Sequence, residues 1–90
     1  MLTTYESAVT KVIEYFANTI AEGAHDSVAE QSDYGIYDSA DSINWIMQNY
    51  TQFNTVADLA NAALASTLDT VVRENIYYAL MAKTVDILAV

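Results

Sequence analysis

The chain's chemistry is concentrated in its carboxylates. From Glu14 to Asp41 it carries seven acids and no lysine or arginine. The first 45 residues hold Glu6, Glu14, Glu22, Asp26, Glu30, Asp33, Asp38 and Asp41 against Lys11. The remainder holds Asp58, Asp69, Glu74 and Asp86 against Arg73 and Lys83. Carboxylates can bind hard cations, transfer protons or accept hydrogen bonds from basic groups. Asp33, Asp38 and Asp41 lie close together, but they lack the alternating ligands and internal glycine of a calcium loop. His25, beside Asp26, could act as a general base. No serine or cysteine nucleophile sits in a recognisable motif, however, and no oxyanion device accompanies it. A structural histidine near a helix start is therefore the expectation. Gly23 and Gly35 are isolated, which excludes a glycine-rich phosphate loop, and there is no cysteine for thiol or zinc chemistry. These residues predict no catalysis, no metal and no cofactor.

Acceptance of basic groups is what remains, and the charge balance agrees with it. The 90 residues carry a formal charge of −9, yet 53% are hydrophobic, so the chain has the means to fold. Three basic residues are too few to neutralise a run of phosphates, which excludes direct nucleic-acid binding. An anionic membrane surface would repel the chain, and no apolar run approaches the length of a membrane span. The first residues show no secretory leader, so a cytoplasmic location is expected. The charge would attract a basic protein surface. The plainer interpretation of the same acids is a solvated face that maintains solubility.

Without proline, and with only two glycines, long helices must position these acids. Thr3 and Glu6 have the spacing of a capping box. They open a helix over 5–22, whose apolar stripe is Tyr5, Val9, Val12, Ile13, Phe16 and Ile20 and whose stop is Gly23. A short helix over 27–32 follows, then a tight connection at Tyr34-Gly35-Ile36-Tyr37. A third helix runs from Asp38 or Ser39 to Tyr50, with Ile43, Ile46, Met47 and Tyr50 inward. Trp45 points the other way, where it is either buried against the final helix or a candidate aromatic contact for a partner. After a loop at 51–54, Thr55 caps a fourth helix with Asp58 at its third position. Its buried face is Val56, Leu59, Ala60, Ala63 and Leu64, and Ser66-Thr67 can break it. The segment 68–88 is apolar almost all round and must be covered on most sides. One of Tyr77 and Tyr78 faces the core, and the other faces solvent or a partner. The expected architecture is all-α: a single acidic domain over 1–90 with four to five helices and a long C-terminal helix. A self-association surface on that last helix makes it a homodimer.

Several stretches resemble the phage Ocr-like antirestriction family. They are His25-Asp26-Ser27-Val28, Asp33 eight residues after the histidine, and Tyr37 with Ala40-Asp41 leading to Ile43 and Met47. Asn75-Ile76-Tyr77-Tyr78-Ala79-Leu80 is similar to an element of that family's long C-terminal helix. The resemblance implies a helical homodimer that imitates the shape and charge of duplex DNA and inhibits host DNA-binding defence enzymes such as type I restriction–modification systems. It implies neither catalytic residues nor a cofactor. The eight acids from Glu6 to Asp41 would then stand in for phosphates. The chain departs from the family in its lower charge, its apolar C-terminal end and its lack of the central proline. The other function these features admit is a small helical interaction module, a phage inhibitor or adaptor that binds a protein through an apolar or aromatic patch including Trp45.

Overall fold

Helix formation starts where the capping residues place it. The backbone N–H of Glu6 donates to Thr3 Oγ1 (3.0 Å), and the N–H of Thr3 donates to Glu6 Oε1 (3.2 Å). Two otherwise unpaired donors are thus satisfied reciprocally. A computed structural model describes residues 3–25 and 29–88, with side chains for 3–22 and 37–85. Within these residues, α1 spans Thr4–His25, α2 spans Ala29–Asn49, a 3₁₀ turn spans Tyr50–Gln52, α3 spans Val56–Leu64 and α4 spans Thr70–Leu88. The described residues contain no strand.

The helices pack as a flattened all-α domain of 38 × 31 × 19 Å between Cα atoms, thin enough for two layers of helices. α1 packs chiefly on α2 and also on α4, α3 pairs with α4, and α2 touches α4. The core between them is Ala8, Val9, Val12 and Phe16 of α1, Ile46 of α2, Val56, Leu59, Ala60 and Ala63 of α3, and Val72, Ile76 and Leu80 of α4. Buried Ser42 of α2 donates its hydroxyl to the Asp38 carbonyl (2.8 Å), so this small polar side chain is satisfied within its own helix. Thr55 caps α3 by accepting from the Asp58 N–H (3.2 Å), as its spacing predicts. The break at Ser66-Thr67 is also present. Ser66 Oγ donates to the Ala63 carbonyl (2.6 Å) and accepts from the Leu68 N–H (3.4 Å).

The structure corrects the sequence expectation in four places. Gly23 does not stop α1, which continues to His25 without a positive φ. The short helix, tight connection and third helix are one continuous α2, and Gly35 lies inside it. The expected 51–54 loop begins as the 3₁₀ turn. Met47 and Leu64, assigned to buried faces, are exposed, while Trp45 packs against the core, the first of its two readings. Of the tyrosine pair, Tyr77 packs on the core and Tyr78 stands out, with the two rings edge to face at 5.3 Å.

Candidate functional site: the acidic faces and the cleft beside them

The carboxylates are placed by helix register. On α1 the buried residues are Ala8, Val9, Val12 and Phe16, and Glu6, Glu14 and Glu22 are exposed. At 100° per residue Glu14 is nearly opposite the buried face, with Glu6 and Glu22 about 80° to either side of it. Eight-residue intervals separate them by about 12 Å along the axis. On α2 the continuity of the helix is decisive. Positions 30, 33, 38 and 41 fall within about 140° of arc, roughly opposite buried Ser39, Ser42 and Ile46. Asp41 is exposed and Asp38 half-buried. Glu30 and Asp33 belong to this helix by their backbone, although their side chains lie outside the described ones, and Asp26 lies outside the described residues altogether. The two helices carrying these acids pack on each other.

The acidity of Glu6 is tuned by its neighbours. Hydrogen bonds from the Thr3 backbone N–H and then from its hydroxyl favour the charged form and hold the carboxyl below its usual range. Two of the three basic residues, Lys11 and Lys83, line one surface depression, and Arg73 stands apart from it. Arg73 donates to the Leu64 carbonyl at the end of α3 (3.2 Å) and to Thr70 Oγ1 (2.8 Å), so its charge sits at the negative end of a helix. Lys83 lies over the Tyr15 ring, 5.5 Å from its centroid. Lys11 is exposed and shares a shallow surface depression with Glu14, Tyr15, Asn18 and Lys83. Among the described residues no three His, Cys, Asp or Glu side chains are grouped as metal ligands would be. The backbone places His25 at the C-terminal end of α1, four residues before the start of α2.

Sequence reasoning missed a cleft of about 410 Å³ where α1, α2 and α4 meet. Tyr15, Phe16 and Thr19 form one wall, Asp38 and Ser39 a second, and α4 contributes Asn75, Tyr78, Ala79, Ala82 and Lys83. The small side chains of Ala79 and Ala82 leave the space, and Tyr15 and Tyr78 stand exposed at its edge. No local motif could have announced it, because its walls come from three helices. Beside it, exposed Val71, Tyr78, Met81 and Val85 lie within about 80° of arc on α4, opposite buried Val72, Ile76 and Leu80.

Comparison of the chain with protein-family models, with curated proteins and with solved structures gives no match. Function is therefore read from the chain's own charge and packing. Trp45, half-buried against the core, is a weaker candidate for partner contact than the exposed residues of α4.

Proposed function

We propose that this protein is a DNA-mimic inhibitor of a host DNA-binding enzyme, of the type I restriction–modification kind, that works by presenting carboxylates where the enzyme expects phosphates. The observation that carries this reading is the unbroken α2. It puts positions 30, 33, 38 and 41 within about 140° of arc on one helix, with Asp41 exposed, beside the exposed acids of α1. Steps of three and five residues along α2 rise about 4.5 and 7.5 Å, roughly one and two nucleotides at the 3.4 Å rise along one DNA strand. The α1 acids are sparser, each step covering three to four nucleotides of rise. A fixed array of this kind would release counterions from a basic groove as DNA does, without any reaction or cofactor. The sequence resemblance to the Ocr-like family points the same way.

The test is displacement of labelled DNA from a type I restriction–modification enzyme at 50 and 200 mM salt. The protein's inhibition constant, corrected for the labelled DNA's own affinity at each salt, is expected to weaken by at least about tenfold at the higher salt, because each neutralised charge adds to the salt slope. The quadruple variant E14Q/E22Q/E30Q/D41N, folded by circular dichroism, is expected to lose displacement. Full activity in that variant would sink the proposal. The second reading, an interaction module, is favoured by the exposed α4 stripe of Val71, Tyr78, Met81 and Val85. It requires binding that is nearly indifferent to salt and intact in the quadruple variant.

A further inference from the structure

The cleft between α1, α2 and α4 joins three features that recognise one kind of group. Asp38 supplies a half-buried carboxylate, Tyr15 and Tyr78 supply exposed aromatic rings, and Phe16 and Ala79 supply an apolar floor. A carboxylate among aromatic faces suits a planar cation. Guanidinium pairs with the carboxylate through two parallel N–H donors while stacking on a ring. The chain's charge of −9 favours a cationic occupant over an anionic one. The protein also shows the preference itself, since the Lys83 ammonium rests over the Tyr15 ring at the cleft wall. The volume of about 410 Å³ is within the range of sites that hold a small ligand or one long side chain.

We infer that this cleft is a socket for an arginine side chain of the basic partner protein, with Asp38 as its ion-pairing residue, Tyr15 and Tyr78 as its stacking walls and Lys83 as a resident competitor. The inference rests on the proposed DNA mimicry for the partner's basic character and adds a specific anchor to it. Phosphate imitation is spread over many acids, so one of them should matter little. A socket makes Asp38 matter more than its neighbours.

The probe is the tripeptide acetyl-Gly-Arg-Gly-amide, titrated into the ¹⁵N-labelled full chain, with its neutral citrulline counterpart as control. The arginine peptide is expected to shift amide resonances of Tyr15, Asp38, Tyr78 and Lys83, and citrulline to leave them in place. Asp38→Asn should weaken that binding by about tenfold, and Lys83→Met should tighten it by removing the competing cation. Equal shifts from both peptides, shifts confined to other surfaces, or no effect of Asp38→Asn in a folded protein would overturn the inference. So would the same shifts arising on concentration of the protein alone, which would mean that a second copy fills the cleft. In the DNA-displacement assay Asp38→Asn should cost about tenfold and Glu14→Gln less than about twofold. Absence of displacement by the native protein, with the peptide shifts intact, would reject DNA mimicry and leave the arginine socket standing.

Discussion

Tyr5 shows how one side chain secures the site's scaffold. Its hydroxyl donates to the Tyr50 carbonyl, 45 residues away, and so ties the first turn of α1 to the junction where α2 becomes the 3₁₀ turn. The Tyr50 carbonyl also accepts from the Phe53 N–H (3.3 Å), and this bond persists if Tyr5 is altered. Tyr5→Phe is therefore expected to cost about 1 kcal/mol in urea unfolding, the usual net worth of such a bond, and to leave the fold intact. Burial, and secondarily the neighbouring Tyr50, raises the Tyr5 phenol above its ordinary 10.0. A group whose folded pKa is raised contributes stability below its unfolded pKa and loses it as pH rises through the folded value. The stability of the native protein should thus decline above about pH 10, and Tyr5→Phe should flatten that limb. Glu6, lowered by its bonds from Thr3, works in the opposite sense. Its contribution is present above 4.5 and disappears as pH falls through its folded pKa.

At the scale of elements, α2 is where sequence and structure part. Tyr34-Gly35-Ile36-Tyr37 has turn composition, and Asp38 and Ser39 are good caps, so local chemistry argues for a break. Non-local packing decides otherwise. Ser39, Ser42 and Ile46 are buried at helical spacing, and small serines let α2 approach α1 and α4 closely. Gly23 likewise remains helical, against its local tendency to end a helix. Features set by nearest neighbours were legible: the Thr3–Glu6 box, the Thr55 cap, the Ser66-Thr67 break and most of the α1, α3 and α4 core. The cleft was not, because it depends on how three helices meet. Glycine inside a helix costs roughly 0.5–1 kcal/mol relative to alanine. Gly35→Ala should therefore raise stability by about that amount in thermal or urea unfolding, with a gain in far-ultraviolet helicity. A loss of stability would mean that residues 34–37 form a turn after all, and the shared register of the α2 acids would go with it.

At the scale of the whole molecule, the exposed surface bears on self-association. The chain exposes 5809 Å², whereas a monomer of 9.9 kDa is expected to expose roughly 5200 Å². An excess of about 600 Å² per chain, if covered in a pair, gives an interface near the lower end of the stable range. The α4 stripe is suited to a two-fold pair, because Val71, Tyr78 and Val85 recur every seven residues and read the same in both directions. Two antiparallel α4 helices would set Val71 against the second copy's Val85. Against this stands the repulsion of two chains at −9 each, which salt screens over about 10 Å at 0.1 M. Self-association should therefore be concentration-dependent in the micromolar range and should strengthen as salt rises. Binding to a basic groove should weaken over the same salt range, so the two kinds of contact respond to one variable with opposite signs. Sedimentation equilibrium at 50 and 200 mM salt is expected to show a mass between one and two chains, larger at the higher salt. The double variant V71Q/V85Q, altered away from the cleft and the acids, should stay at one chain under both conditions. A single-chain mass for the native protein at every concentration would remove the pair, and one chain's acids would then have to meet the enzyme's groove alone.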